Sequence, residues 1–486
     1  MTTFIEVLAY LTENIIFGYA LIICSAYLIL AVVSLLEIAG YMRKNRFVDY
    51  DAILSSPLAP SISLLVPAYN EGVNIIDSIR SLLSLQYNNY EIIVINDGST
   101  DNSLEKLIHH FDLVKVKFAV NYEIQTRQVR GVYKSNNQAF KKLIVVDKEN
   151  GGKADALNAG LNISQSKLIA TMDADSIIAP DALLKMVRPF LQNNTRVIAT
   201  GGVVRIANSC EIEDGRLVKV HLPNKMLARF QALEYLRVFL LSRIAWSRLN
   251  GLLLISGAFG LFDREIAVKA GGYSHKTVGE DMELVVRMRT YMHRNKLDYK
   301  VYYIPDPLCW TEAPANLKIL GKQRNRWARG TAQTLWLHKK LFMNPKYGLM
   351  GVLSYPFWLF FEYLAPFVEM VGITYFFVLV FLGKVNWAFF VSLFLMIYMF
   401  AVFISVLALL AEEITFHKYN KKSDALKLAA TAFVEPFLFH PFTLAWALMG
   451  NLYLLLGINN WGNMKREGLS KENKKEQKLP RRMVAG

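Results

Sequence analysis

Four aspartates and one basic, aromatic cluster are the residues of this chain whose types and spacing could do chemistry. Asp97 lies in Val94-Ile95-Asn96-Asp97-Gly98-Ser99, Asp173 and Asp175 in Met172-Asp173-Ala174-Asp175, and Asp281 in Gly279-Glu280-Asp281. The cluster is Gln323-Arg324-Asn325-Arg326-Trp327. Two carboxylates two residues apart repel when both are ionised, and a divalent cation removes that conflict. Mg2+ or Mn2+ suits such oxygen donors, and Mg2+ is usually held by one or two carboxylates plus substrate phosphates. Asp281, supported by Glu280, can take the proton of an attacking hydroxyl as general base. Arg324 and Arg326 offer forked donors to phosphate, and Trp327 offers a flat face to a sugar ring. In this order the set supplies what transfer from a nucleotide-sugar requires: a nucleotide grip, metal ligands, a base, and cations for the leaving diphosphate.

Smaller motifs fit around these. Pro67-Ala68-Tyr69-Asn70-Glu71 follows an apolar run and suits either a base-and-ribose contact or a strand-to-helix turn capped by Asn70. Asp97 can accept from a base N–H or a ribose hydroxyl, or serve as an Asx turn. Gly151-Gly152-Lys153 opens a helical stretch, where glycines allow close approach, helix-start N–H groups favour anions and Lys153 adds a point charge. Its spacing is not that of a Walker loop. Ser256-Gly257-Ala258-Phe259 places small residues beside an aromatic ring, which suits an acceptor sugar or a tight strand.

The elements that must position these groups follow from the apolar pattern. Short runs at Ile62–Val66, Glu91–Ile95, Leu143–Val146 and Leu168–Met172 read as buried strands, with helical spacing at Glu71–Leu85, Asp101–Phe111 and Lys153–Ile163 between them. Such alternation predicts an α/β fold with a mostly parallel sheet, whose ligands bind at the carboxyl ends of the strands. From Pro180 to about Asn316 the reading is helices and loops, including an apolar, Arg-bearing stretch from Met226 to Arg248.

On either side lie membrane candidates. Ile15–Leu36 is 22 residues without a charge and Trp387–Ala411 is 25, each long enough for a hydrocarbon layer of roughly 30 Å. The first reads as an uncleaved anchor, because Glu13 precedes it without a basic leader segment. In Gly348–Gly383, Glu362 and Glu369 place the start of a span near Pro366, with the preceding stretch along the interface. Leu428–Gly457 carries Glu435-Pro436 and His440-Pro441 and reads as a bent span or a re-entrant hairpin. Four simple spans would put both termini on one side of the membrane, yet the flank after the anchor and the tail are both basic, so Leu428–Gly457 is the segment expected to deviate. The chain's +15 charge gathers at these flanks, including eight Lys/Arg against three Glu from Lys465 to Arg482, and fits anionic lipid rather than nucleic acid. Three scattered cysteines show no metal spacing and no disulfide framework.

Taken together, the motifs resemble family 2 inverting glycosyltransferases, specifically the membrane-embedded processive synthases of poly-N-acetylglucosamine, hyaluronan, chitin and cellulose. The resemblance spans roughly residues 61–330, and its specific part is Gln323-x-x-Arg326-Trp327. It implies a GT-A-like, Rossmann-type domain inserted between transmembrane helices. The boundaries are then 1–46 for the anchor, 47–330 for the transferase domain, 331–365 for interfacial helices, 366–464 for the C-terminal membrane region and 465–486 for a basic tail. By resemblance, Asp97 contacts the uridine, Asp173 and Asp175 bind the nucleotide diphosphate and Mg2+ or Mn2+, Asp281 is the base, and Gln323, Arg324, Arg326 and Trp327 hold the diphosphate and the acceptor end. The reading of the residues themselves adds Pro67, Tyr69, Asn70, Glu71 and Lys153 to the nucleotide-sugar site, Glu280 as support for the base, and Ser256, Gly257, Ala258 and Phe259 to the acceptor site. The base motif reads Gly-Glu-Asp where many members have Thr-Glu-Asp, but both acids remain. The short, charged tail leans away from cellulose synthases and toward poly-N-acetylglucosamine synthases. The implied partners are a UDP-sugar, a growing glycan or a lipid acceptor, and membrane lipids, with room for an export or regulatory subunit. The implied location is a bacterial-type inner membrane with a cytoplasmic catalytic domain. A non-processive transferase acting on a lipid is the alternative reading.

Overall fold

A computed structural model describes residues 2–213, 215–419 and 421–458. Its framework is a ten-stranded sheet ordered β3-β4-β5-β2-β1-β6-β11-β8-β12-β7. The strands are β1 (Ile62–Ala68), β2 (Tyr90–Asp97), β3 (Leu113–Val116), β4 (Val129–Ser135), β5 (Leu143–Lys148), β6 (Leu168–Met172), β7 (Ile177–Ile178), β8 (Val197–Ile206), β11 (Phe259–Asp263) and β12 (Lys300–Thr311), with β9 (Glu211–Glu213) and β10 (Arg216–Lys219) forming a separate hairpin. The central strands β5, β2, β1 and β6 are parallel and in register. Helices cover both faces, so these strands are apolar throughout rather than alternating. Among those helices are α2 (Ile75–Leu83), α3 (Ser103–His110), α4 (Lys153–Ile163) and α5 (Ala182–Gln192), after the long N-terminal α1 (Thr2–Asn45).

Two expectations are corrected here. The sheet is mixed rather than mostly parallel, because β3, β4, β11 and β7 pair antiparallel with their neighbours. The stretch after Pro180 also holds the two longest strands, β8 and β12, paired in parallel. β8 was hidden because Gly201-Gly202 interrupts its apolar run. The glycine is needed: a Cβ on Gly201 would meet the Tyr303 ring at 2.6 Å.

Beyond the sheet, α6 (Met226–Leu236) continues through a π-helical segment (Arg237–Arg243) to Arg248. Two helices then carry functional motifs: α7 (Glu280–Arg294) and α8 (Leu317–Leu337). Towards the C-terminus come α9 (Ala365–Phe381), α10 (Trp387–Thr415), α11 (Lys422–Leu438) and α12 (His440–Leu455). By length and composition, three helical stretches can cross a membrane: Tyr10–Asn45, Met350–Phe381 and Trp387–Thr415. The pair α11–α12 is bent by 49° at its break, where Pro436 and Pro441 interrupt the backbone ladder. Its second arm lies along α8: a Cβ on Gly321 would meet the Trp446 indole at 2.6 Å, and one on Gly450 would meet the Asn325 carbonyl at 2.8 Å. The acids in the apolar stretches have partners. Tyr27 Oη donates to Glu362 at 2.8 Å, Glu369 meets His440 at 2.9 Å, and Arg237 forks onto Glu435 at 3.0 and 3.1 Å. The basic tail at 465–486 lies outside the described residues.

Candidate active site

The register of the parallel strands brings distant motifs to one edge. β1, β2 and β6 end together, which aligns Tyr69, Asp97 and Asp173. β11 runs antiparallel beside β6, with Phe259 opposite Met172, so the loop that precedes it returns Ser256 to Ala258 to the same edge. α4 starts there as well, after Gly152 at φ +86°.

At the centre is Lys153. Its Nζ lies 2.6 Å from Asp173 Oδ1 and 3.5 Å from Glu280 Oε1. Burial works against the ammonium, but Asp173, Glu280 and Asp281 outweigh it and hold the pKa above the usual lysine range. Glu280 is buried, and burial pushes its carboxyl up; Lys153 pulls it down, Asp281 pushes it up further, and Arg326 opposes, leaving it above the ordinary value. Asp281 is fixed rather than free to rotate. Gly257 N–H donates to its Oδ2 at 3.0 Å and Met282 N–H to its Oδ1 at 2.8 Å. Asp175 is 8% exposed, one residue beyond Ala174 from the half-buried Asp173.

The box helix faces this cluster through a glycine contact. Gly279, just before α7, and Gly330, on α8, touch backbone to backbone: a Cβ on Gly330 would meet Gly279 Cα at 2.8 Å. Gln323, Arg326, Trp327 and Gly330 share one helical face at i, i+3, i+4 and i+7. Their face is further held by Val278 N–H donating to Gln333 Oε1 at 2.9 Å. Arg326 is near enough to Glu280 for its charge to lower that carboxyl's pKa. Gln323 Oε1 is buried with no hydrogen-bond partner among the described residues, and Trp327 is 40% exposed. Gly330→Ala is expected to separate the two helices while leaving the sheet intact. Misplacement on the ångström scale at a reacting centre costs on the order of 100-fold, so kcat of the membrane-held protein should fall by about that factor with unchanged thermal unfolding.

Several predicted site residues serve other ends. Arg324 forks onto Glu234 of α6 at 2.5 and 2.6 Å and lies over the Trp327 ring at 4.4 Å, so it braces the tryptophan rather than facing the diphosphate. Phe259, expected at the acceptor, is 1% exposed and packs in the core as the first residue of β11, a strand buried along its whole length. Asn70, at φ +57°, accepts from Thr100 N–H at 2.8 Å and tethers the Tyr69 loop to the loop after β2. Pro67 is within β1, and Glu71 starts the turn that leads into α2. Tyr69 remains 46% exposed at the strand ends. Ser256 Oγ accepts from Ala258 N–H at 3.3 Å and shapes the loop.

Asp97 occupies the predicted edge but is heavily engaged. Lys148 Nζ lies 2.6 Å from its Oδ1, Gly151 N–H donates to the same oxygen at 3.0 Å, and Gly152 N–H donates to Oδ2 at 2.7 Å. A carboxylate has about four acceptor positions, which leaves one for a ligand. Lys148 was missed from the sequence. It is fully buried and also pairs with Asp155 at 2.5 Å, so this triad fixes the loop that launches Lys153. A lysine ending an apolar strand, opposite Asp97 in the register, was the available signal. Lys148→Met leaves two buried carboxylates uncompensated, and removing one partner of a buried pair destabilises by about 3–5 kcal/mol. A clear drop in Tm of the purified protein is the expected result.

Two family models match this chain. Glycosyl transferase family 2 matches residues 63–242, and glycosyl transferase family group 2 matches residues 168–411, half of the chain. The chain belongs to glycosyl transferase family 2. The matched residues of this family 2 glycosyltransferase contain Asp97, Asp173, Asp175, Glu280, Asp281 and the whole of the box. It is 31% identical over 275 residues to a poly-beta-1,6-N-acetyl-D-glucosamine synthase of Staphylococcus epidermidis, covering 56% of this chain and 55% of the relative. A synthase of the same description from Staphylococcus aureus strain COL is 29% identical over 300 residues, covering 62% and 60%. The chain thus spans a little over half the length of these curated relatives. Among solved structures, a mannosyltransferase from Pyrobaculum calidifontis in complex with GDP-Man and Mn2+ superposes with a TM-score of 0.50 at 17% identity, over 91% of this chain and 100% of that one. This family 2 enzyme therefore has the GT-A-like fold expected from its motifs.

Proposed function

We propose that this glycosyltransferase transfers N-acetylglucosamine from UDP-N-acetylglucosamine, with inversion, onto a growing β-linked glycan at a membrane. The observation that carries the reading is the placement of Asp281. Gly257 N–H aims its carboxylate, Lys153 lies beside the same glycine and pairs with Asp173, and the Gly279–Gly330 contact brings the helix that carries Arg326 and Trp327 against this cluster. The relatives named poly-beta-1,6-N-acetyl-D-glucosamine synthase support the choice of sugar and of a polymer product.

In this reading Tyr69 and the remaining acceptor position of Asp97 meet the uridine. Lys153 and Arg326 meet the diphosphate, and Trp327 supports the acceptor ring. The acceptor hydroxyl attacks the anomeric carbon as the bond to the phosphate oxygen breaks. Asp281 takes the hydroxyl proton, and UDP leaves toward Lys153 and Arg326. Asp173 and Asp175 fit a divalent cation. Among the described residues no group of three His, Cys, Asp or Glu offers an all-protein site. A Mg2+ or Mn2+ would be held by Asp173 and Asp175 together with substrate phosphates, as Mg2+ usually is by one or two carboxylates. When bound, it supplies positive charge to the leaving diphosphate.

The membrane arrangement completes the proposal. Three crossings place the catalytic domain and the basic tail on the cytoplasmic side of a bacterial-type inner membrane, with α11–α12 dipping without crossing. The expected interfacial stretch is shortened to residues 331–349, ahead of the second crossing Met350–Phe381, and hands the glycan to the membrane region. A panel of UDP-sugars, with UDP release measured from nanodisc-held protein, tests the reading. UDP-N-acetylglucosamine is expected to be turned over at least tenfold faster than UDP-glucose or UDP-glucuronate. A preference for another sugar would overturn the substrate assignment.

A further inference from the structure

Lys153 pairs with one of the two carboxylates read as the cation pair. Its ammonium is 2.6 Å from Asp173 Oδ1, an oxygen of the Asp173–Asp175 cation pair, and it reaches Glu280 at 3.5 Å. Gly257 makes room for it: a Cβ there would meet the lysine Nζ at 3.1 Å and Asp281 Oδ2 at 3.3 Å. One ammonium is therefore inserted among Asp173, Glu280 and Asp281, in the place where positive charge is needed during catalysis.

We propose that Lys153 is a placeholder for the divalent cation, holding Asp173 until metal and nucleoside diphosphate arrive together and so making metal binding conditional on nucleotide. The inference rests on the reading of Asp173 and Asp175 as the cation pair. A metal ion sits about 2.0–2.2 Å from its carboxylate oxygens, and Lys153 already occupies that side of Asp173. A bare divalent ion must approach the ammonium at close range, where like charges in a partly buried site repel strongly. A diphosphate changes the balance. It gives Lys153 a new anionic partner at the start of α4, and the lysine releases Asp173 to the metal. The same side chain then neutralises the leaving group, so no separate gate is required. Metal binds with the nucleotide and not before it.

The test is Mn2+ affinity, read from loss of the free-ion paramagnetic resonance signal on titrating full-length protein in nanodiscs, with and without UDP. Wild type is expected to bind Mn2+ weakly alone and far more tightly with UDP. Lys153→Met should bind Mn2+ without nucleotide about tenfold tighter than wild type, and should gain less from UDP. Lys153→Arg, which keeps the charge, should stay close to wild type without nucleotide. Adding Asp173→Asn to Lys153→Met should abolish the gain, which places the ion at Asp173. Circular-dichroism spectra and thermal unfolding transitions like those of wild type show that the variants are folded. Equal or weaker nucleotide-free binding by Lys153→Met, with UDP-dependent Mn2+ binding intact in wild type, overturns the placeholder role alone. No Mn2+ binding by wild type even with UDP overturns the cation-pair reading and the placeholder role together.

Discussion

Asp281→Asn is expected to lower sugar transfer by about three orders of magnitude, within the range that a positioned general base contributes. The amide keeps the shape of the carboxylate, and its one oxygen can still accept from either the Gly257 or the Met282 N–H, which donate to different oxygens of Asp281. It has no basicity for the acceptor proton. The loss should therefore appear in kcat, with UDP affinity within a factor of two or so of wild type. Glu280 does not replace it, because that carboxyl is buried and paired with Lys153. Equal losses in kcat and in UDP binding would instead mean that Asp281 shapes the nucleotide site and some other group removes the proton.

The second large effect concerns the Asp173–Asp175 pair. Asp173→Asn and Asp175→Asn are each expected to lose at least about 100-fold in turnover, since metal stabilisation of a leaving group is worth several kcal/mol and each 1.4 kcal/mol is about tenfold. Chelation of wild type by EDTA should give the same loss, reversed by Mn2+ or Mg2+. The two substitutions should differ in side effects. Asp173 is half-buried and paired with Lys153, so its variant also releases that ammonium, while Asp175 is buried behind Ala174. A chelated enzyme that keeps full activity would contradict a metal-assisted step.

Much of this site was legible in the sequence because it is built from strand ends. Apolar runs that stop at Asp97 and at Asp173 are β2 and β6, and the helix expected at Lys153–Ile163 is α4 with those bounds. Local patterns of this kind survive folding unchanged. What stayed hidden depends on pairing between distant segments. Nothing near Gly279 or Gly330 indicates that the two backbones touch, and that contact, with the Val278–Gln333 hydrogen bond, sets the box helix against the base. Arg324 reads as a phosphate ligand because its charge is visible and its partner, Glu234, lies 90 residues away. Phe259 reads as a sugar platform because its small neighbours suggest a loop, yet it opens β11 and its ring is in the core. β8 and β12 escaped because glycines and prolines break their apolar runs, while their parallel pairing tolerates the irregularities. The bent helix pair was anticipated from Pro436 and Pro441, whereas its packing along α8 was not.

The central claim is repeated transfer of N-acetylglucosamine onto a glycan. Nanodisc-held protein given radiolabelled UDP-N-acetylglucosamine and Mn2+ or Mg2+, with its products sized by gel electrophoresis beside Asp281→Asn, tests that most directly. The account predicts long labelled products, absent from the variant and degraded by an enzyme that cleaves poly-N-acetylglucosamine. A product carrying a single sugar on lipid would contradict it and assign the same active site to one-step glycosylation.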